Sequence, residues 1–229
     1  MYDLTVIVPI YNEESLIQDS FQRLHDSNVA EYIFLVDDSS KDSSKTIAQK
    51  NADRYSNVKL FSTPSNQGKG AALSFVKEFV ETSHVAIHDA DLEYDPKDLI
   101  SLRNISIKEK DSLILGSRFI GNLERNNVYK SAFFANKFLS IFFSIINNYK
   151  VTDVATCYKI FPTDFFKNTK FNERGFSIEI ELLTKFLKHN KSIVEVPITY
   201  FGRSISEGKK INIIDGFWYI INILKYRIF

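Results

Sequence analysis

Three short apolar runs, each ending in acidic residues, constrain this chain more than any other feature. Leu4 to Ile10 (LTVIVPI) stops at Tyr11-Asn12-Glu13-Glu14, Tyr32 to Val36 (YIFLV) stops at Asp37-Asp38-Ser39-Ser40, and Val85 to His88 stops at Asp89. Runs this short and rich in β-branched residues suit buried strands. After the first run, Leu16, Ile17, Phe21 and Leu24 recur at helical spacing; after the second, cap-forming side chains open a polar helix through Ala52. Val58 to Ser62 and Leu113 to Gly116 read as further strands, and Gly68-Lys69-Gly70 opens a helix over Ala71 to Glu81. Strands alternating with helices predict an α/β fold with a mostly parallel sheet. Ligands of such sheets bind beyond the carboxyl ends of the strands, so the three acidic clusters are expected to converge on one crevice.

The chain of 229 residues is long enough for one sizeable core, and no Pro, Gly or Ser run divides it, which predicts a single domain over 1–229. Lys and Arg number 29 against 28 Asp and Glu, a balance that gives no electrostatic reason to expect a nucleic-acid partner. The single cysteine, Cys157, cannot form an internal disulfide, and the N-terminal residues lack the pattern of a signal peptide, so a reducing cytoplasm is the expected location. The longest uncharged runs, Phe138 to Tyr149 and Gly216 to Leu224, fall short of the roughly 20 residues a spanning helix needs. Two stretches are nonetheless unusually apolar. Residues 131–148 carry a narrow polar stripe at Asn136, Ser140, Ser144 and Asn147. Residues 211–229 place Asn212, Asp215, Tyr219, Asn222 and Tyr226 opposite Ile213, Phe217, Ile220, Ile221 and Leu224. Both are candidate membrane-interface helices.

Asp89 and Asp91, two apart with Ala90 between them, can face one hard cation if the strand ends in a turn. A solvated acidic turn is the bland alternative for an isolated D-x-D. Gly68-Lys69-Gly70 brings main-chain N–H groups and an ammonium to a helix start, a setting that suits phosphate, although a tight turn accounts for the glycines equally well. Arg118, Arg203, Lys209 and Lys210 are the candidates for phosphate recognition, against plain surface charge. Cys157 reads as a buried, inert thiol, and His84 and His88 as strand neighbours rather than zinc ligands.

Taken in order, VIVPIYNEE, LVDDSSKD, NQGKGAA, HDADLEYDP, LGSRF, TDVATCYKIF and EVPITYFGRSISEGKKI resemble family 2 glycosyltransferases over nearly the whole chain. Within that family the likeness is to the polyprenyl-phosphate glycosyltransferases, the dolichol-phosphate mannose synthase group. The resemblance implies a GT-A fold, a Rossmann-like, mostly parallel sheet flanked by helices, with amphipathic C-terminal helices. It places Pro9, Tyr11, Glu13, Asp37, Asp38 and Lys69 on a UDP- or GDP-sugar, together with Asp89, Ala90 and Asp91. Asp89 and Asp91 would bind Mg2+ or Mn2+, and Glu93, where many relatives have Gln, would be a third ligand. Asp91, Arg118 and Arg203 would be the catalytic groups. Lys130, Ser131, Tyr158, Arg203, Lys209 and Lys210 would meet the acceptor. Relatives usually have Glu where this chain has Ala155, and an Arg shortly before Ser131 where it has Lys130 and, further back, Arg125.

These expectations describe inverting transfer of a hexose to a polyprenyl phosphate at the cytoplasmic face of a membrane. The nearest rival extends a hydroxyl acceptor on a glycan, which needs a general base; Asp153 and Glu179 are its candidates. A sugar-nucleotide pyrophosphorylase lacks its Gly-rich signature here, and a non-catalytic accessory subunit is the bland reading.

Overall fold

The computed structural model describes residues 3–126, 129–189, 192–204 and 213–228. Its expected strands form as β1 (Leu4–Ile10), β2 (Tyr32–Asp37), β3 (Val58–Ser62), β4 (His84–Ile87) and β5 (Leu113–Ser117). The intervening helices are α1 (Ile17–Asp26), α2 (Ser44–Arg54), α3 (Lys69–Val76) and α4 (Pro96–Lys108). The helix expected to run through Glu81 ends sooner: α3 tightens at Val76 into a single 3-10 turn over Lys77–Phe79. The start of α4 is set locally, by Pro96 at the first helical position and by Asp95, whose carboxylate accepts from Lys97 N.

The second half adds β6 (Arg125–Asn126), α5 (Lys130–Asn147), β7 (Lys159–Pro162), α6 (Thr163–Asn168), α7 (Ile178–Lys188), β8 (Ile193–Pro197), β9 (Tyr200–Phe201) and α8 (Ile213–Ile228). Seven strands make one sheet in the order β3-β2-β1-β4-β7-β5-β8. All neighbours run parallel except β7, which lies antiparallel between β4 and β5. Because crossover helices cover such a sheet, β1 and β5 are buried almost throughout, which is why they read as continuous apolar runs. β6 and β9 form a separate two-stranded parallel ribbon.

Among the described residues no helix is long and apolar enough to cross a membrane. Both apolar helices, however, turn their polar stripe inward and leave much of their apolar surface in the open, with Leu139 and Phe143 of α5 buried beside the stripe. On α5 the polar stripe faces the protein: Ser140 is 2% exposed and Asn147 9%, whereas Phe134 and Ile145 stand 66% and 71% exposed, with Phe138 and Ile141 between them. Ser140 Oγ accepts from Val154 N, and Ser144 Oγ accepts from Val151 N, so the stripe holds the chain that leads into β7. Asn148, left-handed at φ 50°, ends the helix. α8 packs against α5 and α7 and repeats the inversion: Tyr219, Asn222, Ile223 and Tyr226 are buried while Phe217, Trp218 and Ile228 are exposed.

Candidate active site

The strand ends do meet in one crevice. At the end of β1, Pro9 is half-buried, Tyr11 follows, and Asn12 turns at φ 49°. That turn buries Glu13, whose N–H donates to Ser44 Oγ at 2.7 Å. At the end of β2, Asp37 accepts from Ser40 N at 3.3 Å. Asp38 is buried and accepts from Thr63 Oγ1 at 2.7 Å, Gln67 N at 3.0 Å and Gly68 N at 2.6 Å. The carboxylate thus gathers the Gln67–Gly68 loop with neutral donors.

The segment after β4 is braced from three sides. Asp91 Oδ1 accepts from Glu93 N at 3.0 Å, a local turn that points both aspartates out of the strand. Ser20, buried on α1 between Phe21 and Ile17, donates to Asp91 O at 3.2 Å and lies 3.2 Å from His88 Nε2. His88 Nδ1 meets Tyr158 Oη at 3.0 Å. Burial pushes the His88 imidazole down to about 4, so the ring is neutral at pH 7, with one donor and one acceptor. The assignment that gives every atom one partner runs Tyr158 O–H to His88, His88 N–H to Ser20, and Ser20 O–H to Asp91 O.

The ribbon of β6 and β9 carries Arg203 over this turn. Phe201 N donates to Glu93 O at 2.8 Å and Arg203 N to Glu93 Oε1 at 3.1 Å. The Arg203 guanidinium then reaches Asp91 Oδ2 at 3.0 Å, Glu93 Oε1 at 3.4 Å and Glu13 Oε2 at 3.6 Å. One arginine therefore joins the ends of β1 and β4. Burial, Asp89 and Glu93 together push the Asp91 carboxyl up to about 7, and Arg203 offsets only part of this.

Asp89 has a different partner. Lys69, at the start of α3, lies 2.7 Å from Asp89 Oδ1 and 2.7 Å from Glu179 Oε1 of α7, with Cys157 Sγ at 3.6 Å. Burial opposes the Lys69 charge, but Asp89 and Glu179 prevail and hold the ammonium well above its ordinary value. Glu179 Oε2 is bound in turn by the fully buried Lys159. Cys157 is buried, and burial pushes its thiol well up, which leaves it neutral.

Several sequence candidates land elsewhere than expected. Tyr158 is wholly interior and serves the His88 chain, so its hydroxyl has no open face for an acceptor. Arg118 is buried and held bidentate by Asp153, through Nε at 2.7 Å and Nη2 at 2.8 Å, with its guanidinium 4.9 Å over the Tyr200 ring; its fork is already filled. Glu93 is engaged at both oxygens, by Tyr200 Oη at 2.7 Å and by Arg203, which makes it a brace beside the aspartates. Lys130 and Ser131 are exposed at the start of α5. Lys209 and Lys210, with positions 211, 212 and 229 of the stretch expected as a membrane-interface helix, lie outside the described residues. Sequence reasoning missed Ser20, Ser44, Lys159 and Tyr200. Ser20 had left a signal, as the lone polar residue on the apolar face of α1.

Among the described residues no group of three or more His, Cys, Asp or Glu side chains is gathered to hold a metal ion. The fit of a divalent cation rests on Asp89 and Asp91: hard oxygen donors at a strand end, one with its charge pushed back by its neighbours, which a cation would relieve.

A doubly wound sheet of this order, with acidic residues at the ends of β1, β2 and β4, is the core of a GT-A glycosyltransferase. The chain belongs to glycosyl transferase family 2, whose profile matches residues 5–169. It is 26% identical to a dolichyl-phosphate beta-glucosyltransferase of Trichomonas vaginalis, over 99% of this chain and 73% of that one. It is 24% identical to an undecaprenyl-phosphate mannosyltransferase of Micrococcus luteus, over 89% of this chain and 85% of that one. In shape it is similar to glucosyl-3-phosphoglycerate synthase of Mycobacterium tuberculosis in complex with uridine-diphosphate, with TM-score 0.76 and 17% identity over 99% of this chain and 80% of that chain. The same enzyme with Mn2+, uridine-diphosphate and phosphoglyceric acid gives TM-score 0.75 at 14% identity, over 99% and 78%. At such identities the structural likeness concerns the fold.

Proposed function

We propose that this glycosyltransferase moves a hexose, with inversion at the anomeric carbon, from a UDP- or GDP-sugar to a polyprenyl phosphate, working from the surface of a membrane at its cytoplasmic face. The observation that carries the acceptor is the fate of the two carboxylates a hydroxyl acceptor would need as base. Asp153 is fully buried against Arg118, and Glu179 is buried between Lys69 and Lys159. A phosphate monoester has a second pKa of about 6 and needs no base to become a nucleophile near pH 7. The outward apolar faces of α5 and α8 add a surface suited to the plane in which a lipid's phosphate lies. The names of the Trichomonas and Micrococcus relatives point to the same class of acceptor.

On the donor side, Pro9, Tyr11, Glu13, Asp37 and Asp38 line the crevice that takes the base and ribose, Asp38 offering a charged acceptor to hydroxyl donors. Asp89 and Asp91 would hold Mg2+ or Mn2+, which supplies positive charge for the diphosphate as it leaves. That Mn2+ or Mg2+ accompanies uridine-diphosphate in the solved complexes of the similar Mycobacterium tuberculosis synthase supports that choice. Arg203, aimed at Asp91 and Glu13, brings its guanidinium charge to the phosphate oxygens and offsets repulsion between donor and acceptor. Lys69 fixes the Asp89 carboxylate against α7. Lys130 and Ser131, exposed where α5 begins, are placed to meet the acceptor's phosphate, with Lys209 and Lys210 adding charge.

The test is incubation with radiolabelled UDP- and GDP-hexoses, Mn2+ and a polyprenyl phosphate, with a glycan acceptor offered in parallel. Label in the organic phase is the expected result. Label found only on a glycan acceptor, with none on the lipid, overturns the acceptor assignment.

A further inference from the structure

Residues 171–175, between α6 and α7, lie across the start of α3. From one side Glu181 of α7, fully buried, accepts from Asn172 N at 2.9 Å and Glu173 N at 2.7 Å and is paired with Lys185 at 2.5 Å. From another, α8 reaches over: Tyr226 Oη donates to Glu173 Oε1 at 2.6 Å, and Lys225 Nζ donates to the same oxygen at 2.9 Å. Lys185 stands 5.3 Å over the Tyr226 ring, so the Glu181 and Glu173 anchors share a cation.

On its inner side the segment touches bare backbone. Ala71 N donates to Arg174 O at 3.1 Å. A Cβ at Gly68, whose φ is +95°, would come within 2.7 Å of Arg174 O, and one at Gly70 within 2.1 Å of Glu173 O. Both glycines are therefore required by this close approach. Gln67, Gly68 and Lys69 of the same loop face the crevice with other groups, since Gln67 N and Gly68 N bind Asp38 and Lys69 binds Asp89. A cavity of about 520 Å³ is lined by both the loop, at Gln67 and Gly70, and the segment, at Asn172 and Arg174. Close packing does not fix the two together everywhere; the polar anchors do.

We propose that Glu173 and Tyr226 are positioning residues for the donor site: the latch from α8 holds 171–175 down on Gly68–Lys69–Gly70 and so sets the amides that bind Asp38 and the ammonium that binds Asp89. The inference rests on the donor-side reading given above. It also makes the seating of α8 a determinant of donor affinity.

Tyr226→Phe removes the hydroxyl bond, Glu173→Gln takes the charge from the shared acceptor and so weakens both bonds to it, and Gly70→Ala attacks the same contact from the loop side. Two measurements decide. Amide hydrogen exchange at Gln67 and Gly68, read without ligand, is expected to quicken in all three variants by about tenfold, the equivalent of one lost hydrogen bond. Binding of UDP and GDP with Mn2+ is expected to weaken by about the same factor, the loss appearing mainly in donor KM rather than kcat. Wild-type exchange at Gln67 and Gly68 in Tyr226→Phe and Glu173→Gln, with only the melting temperature lowered, overturns the latch. A wild-type chain that binds neither nucleotide overturns the donor reading instead, while the exchange measurement still decides the latch.

Discussion

The end of β2 and the second half of the molecule satisfy their buried acids in different ways. At the end of β2, Asp37 and Asp38 are held by main-chain amides and a threonine hydroxyl drawn from the loops that follow β2 and β3. In the second half, Asp153, Glu179 and Glu181 are each sealed by an arginine or lysine. Neutral donors stabilise a carboxylate and leave its charge in place; a cation cancels it. The end of β2 thus keeps its acids on neutral donors, whereas the second half pairs its acids with basic groups. Asp91 stands between the two kinds, pushed up by its acidic neighbours and only partly offset by Arg203.

The sharpest way to break this comparison is Arg118→Met. If the Arg118–Asp153 pair is scaffolding, leaving Asp153 buried alone costs about 3–5 kcal/mol of stability in a denaturant melt. Arg118→Met with Asp153→Leu recovers much of that loss, whereas a phosphate-contacting Arg118 predicts a large fall in transfer and little in stability. Asp91→Ala is the converse: transfer drops by about 10²–10³-fold while the melting temperature stays near wild type. Wild-type turnover in that variant removes Asp91 from the site.

His88 gives a pH signature. The imidazole titrates near 6.5 when unfolded and about 4 when folded, so the folded protein binds fewer protons between those values. Its contribution is complete above pH 6.5 and declines as pH falls toward 4, by on the order of 1 kcal/mol per pH unit. Thermal melts of the metal-free protein over that window are expected to be flatter for His88→Asn; an unchanged slope sinks the neutral-imidazole assignment. The smallest effect on the fold belongs to the outward faces. Replacing Phe134, Phe138, Ile141 and Ile145 by Ser is expected to abolish vesicle flotation and leave the melting temperature within a few degrees, because those side chains are already in water. A large destabilisation would mean they pack against protein.

What the sequence made legible follows the same division. β1, β2 and β3 announce themselves because each is a local apolar run, and Asp38, Asp89 and Asp91 because they follow such runs directly. β7 and β8 are four and five residues long, end in Pro162 and Pro197, and gain their places only by pairing with β4 and β5, which no local pattern encodes. The partners that recast Arg118, Tyr158 and Glu93 lie 35, 70 and 107 residues away, beyond the reach of periodicity. The helix at 130–147 was readable, and its polar stripe too; which side faced water depended on Val151 and Val154 taking the stripe's hydroxyls.

The reversed strand β7 has one further result. In a wholly parallel sheet every strand delivers its trailing end to the crevice, and its leading end is on the far side. β7 arrives leading end first, with Lys159 beside Ile87 and Leu115, so residues 153–158 enter the crevice before the strand begins. The end of that segment therefore meets the turn after β4 from the opposite direction, Tyr158 against His88 and Cys157 against Lys69, so a change just ahead of β7 bears on the carboxylates of Asp89 and Asp91 even though those hang from β4.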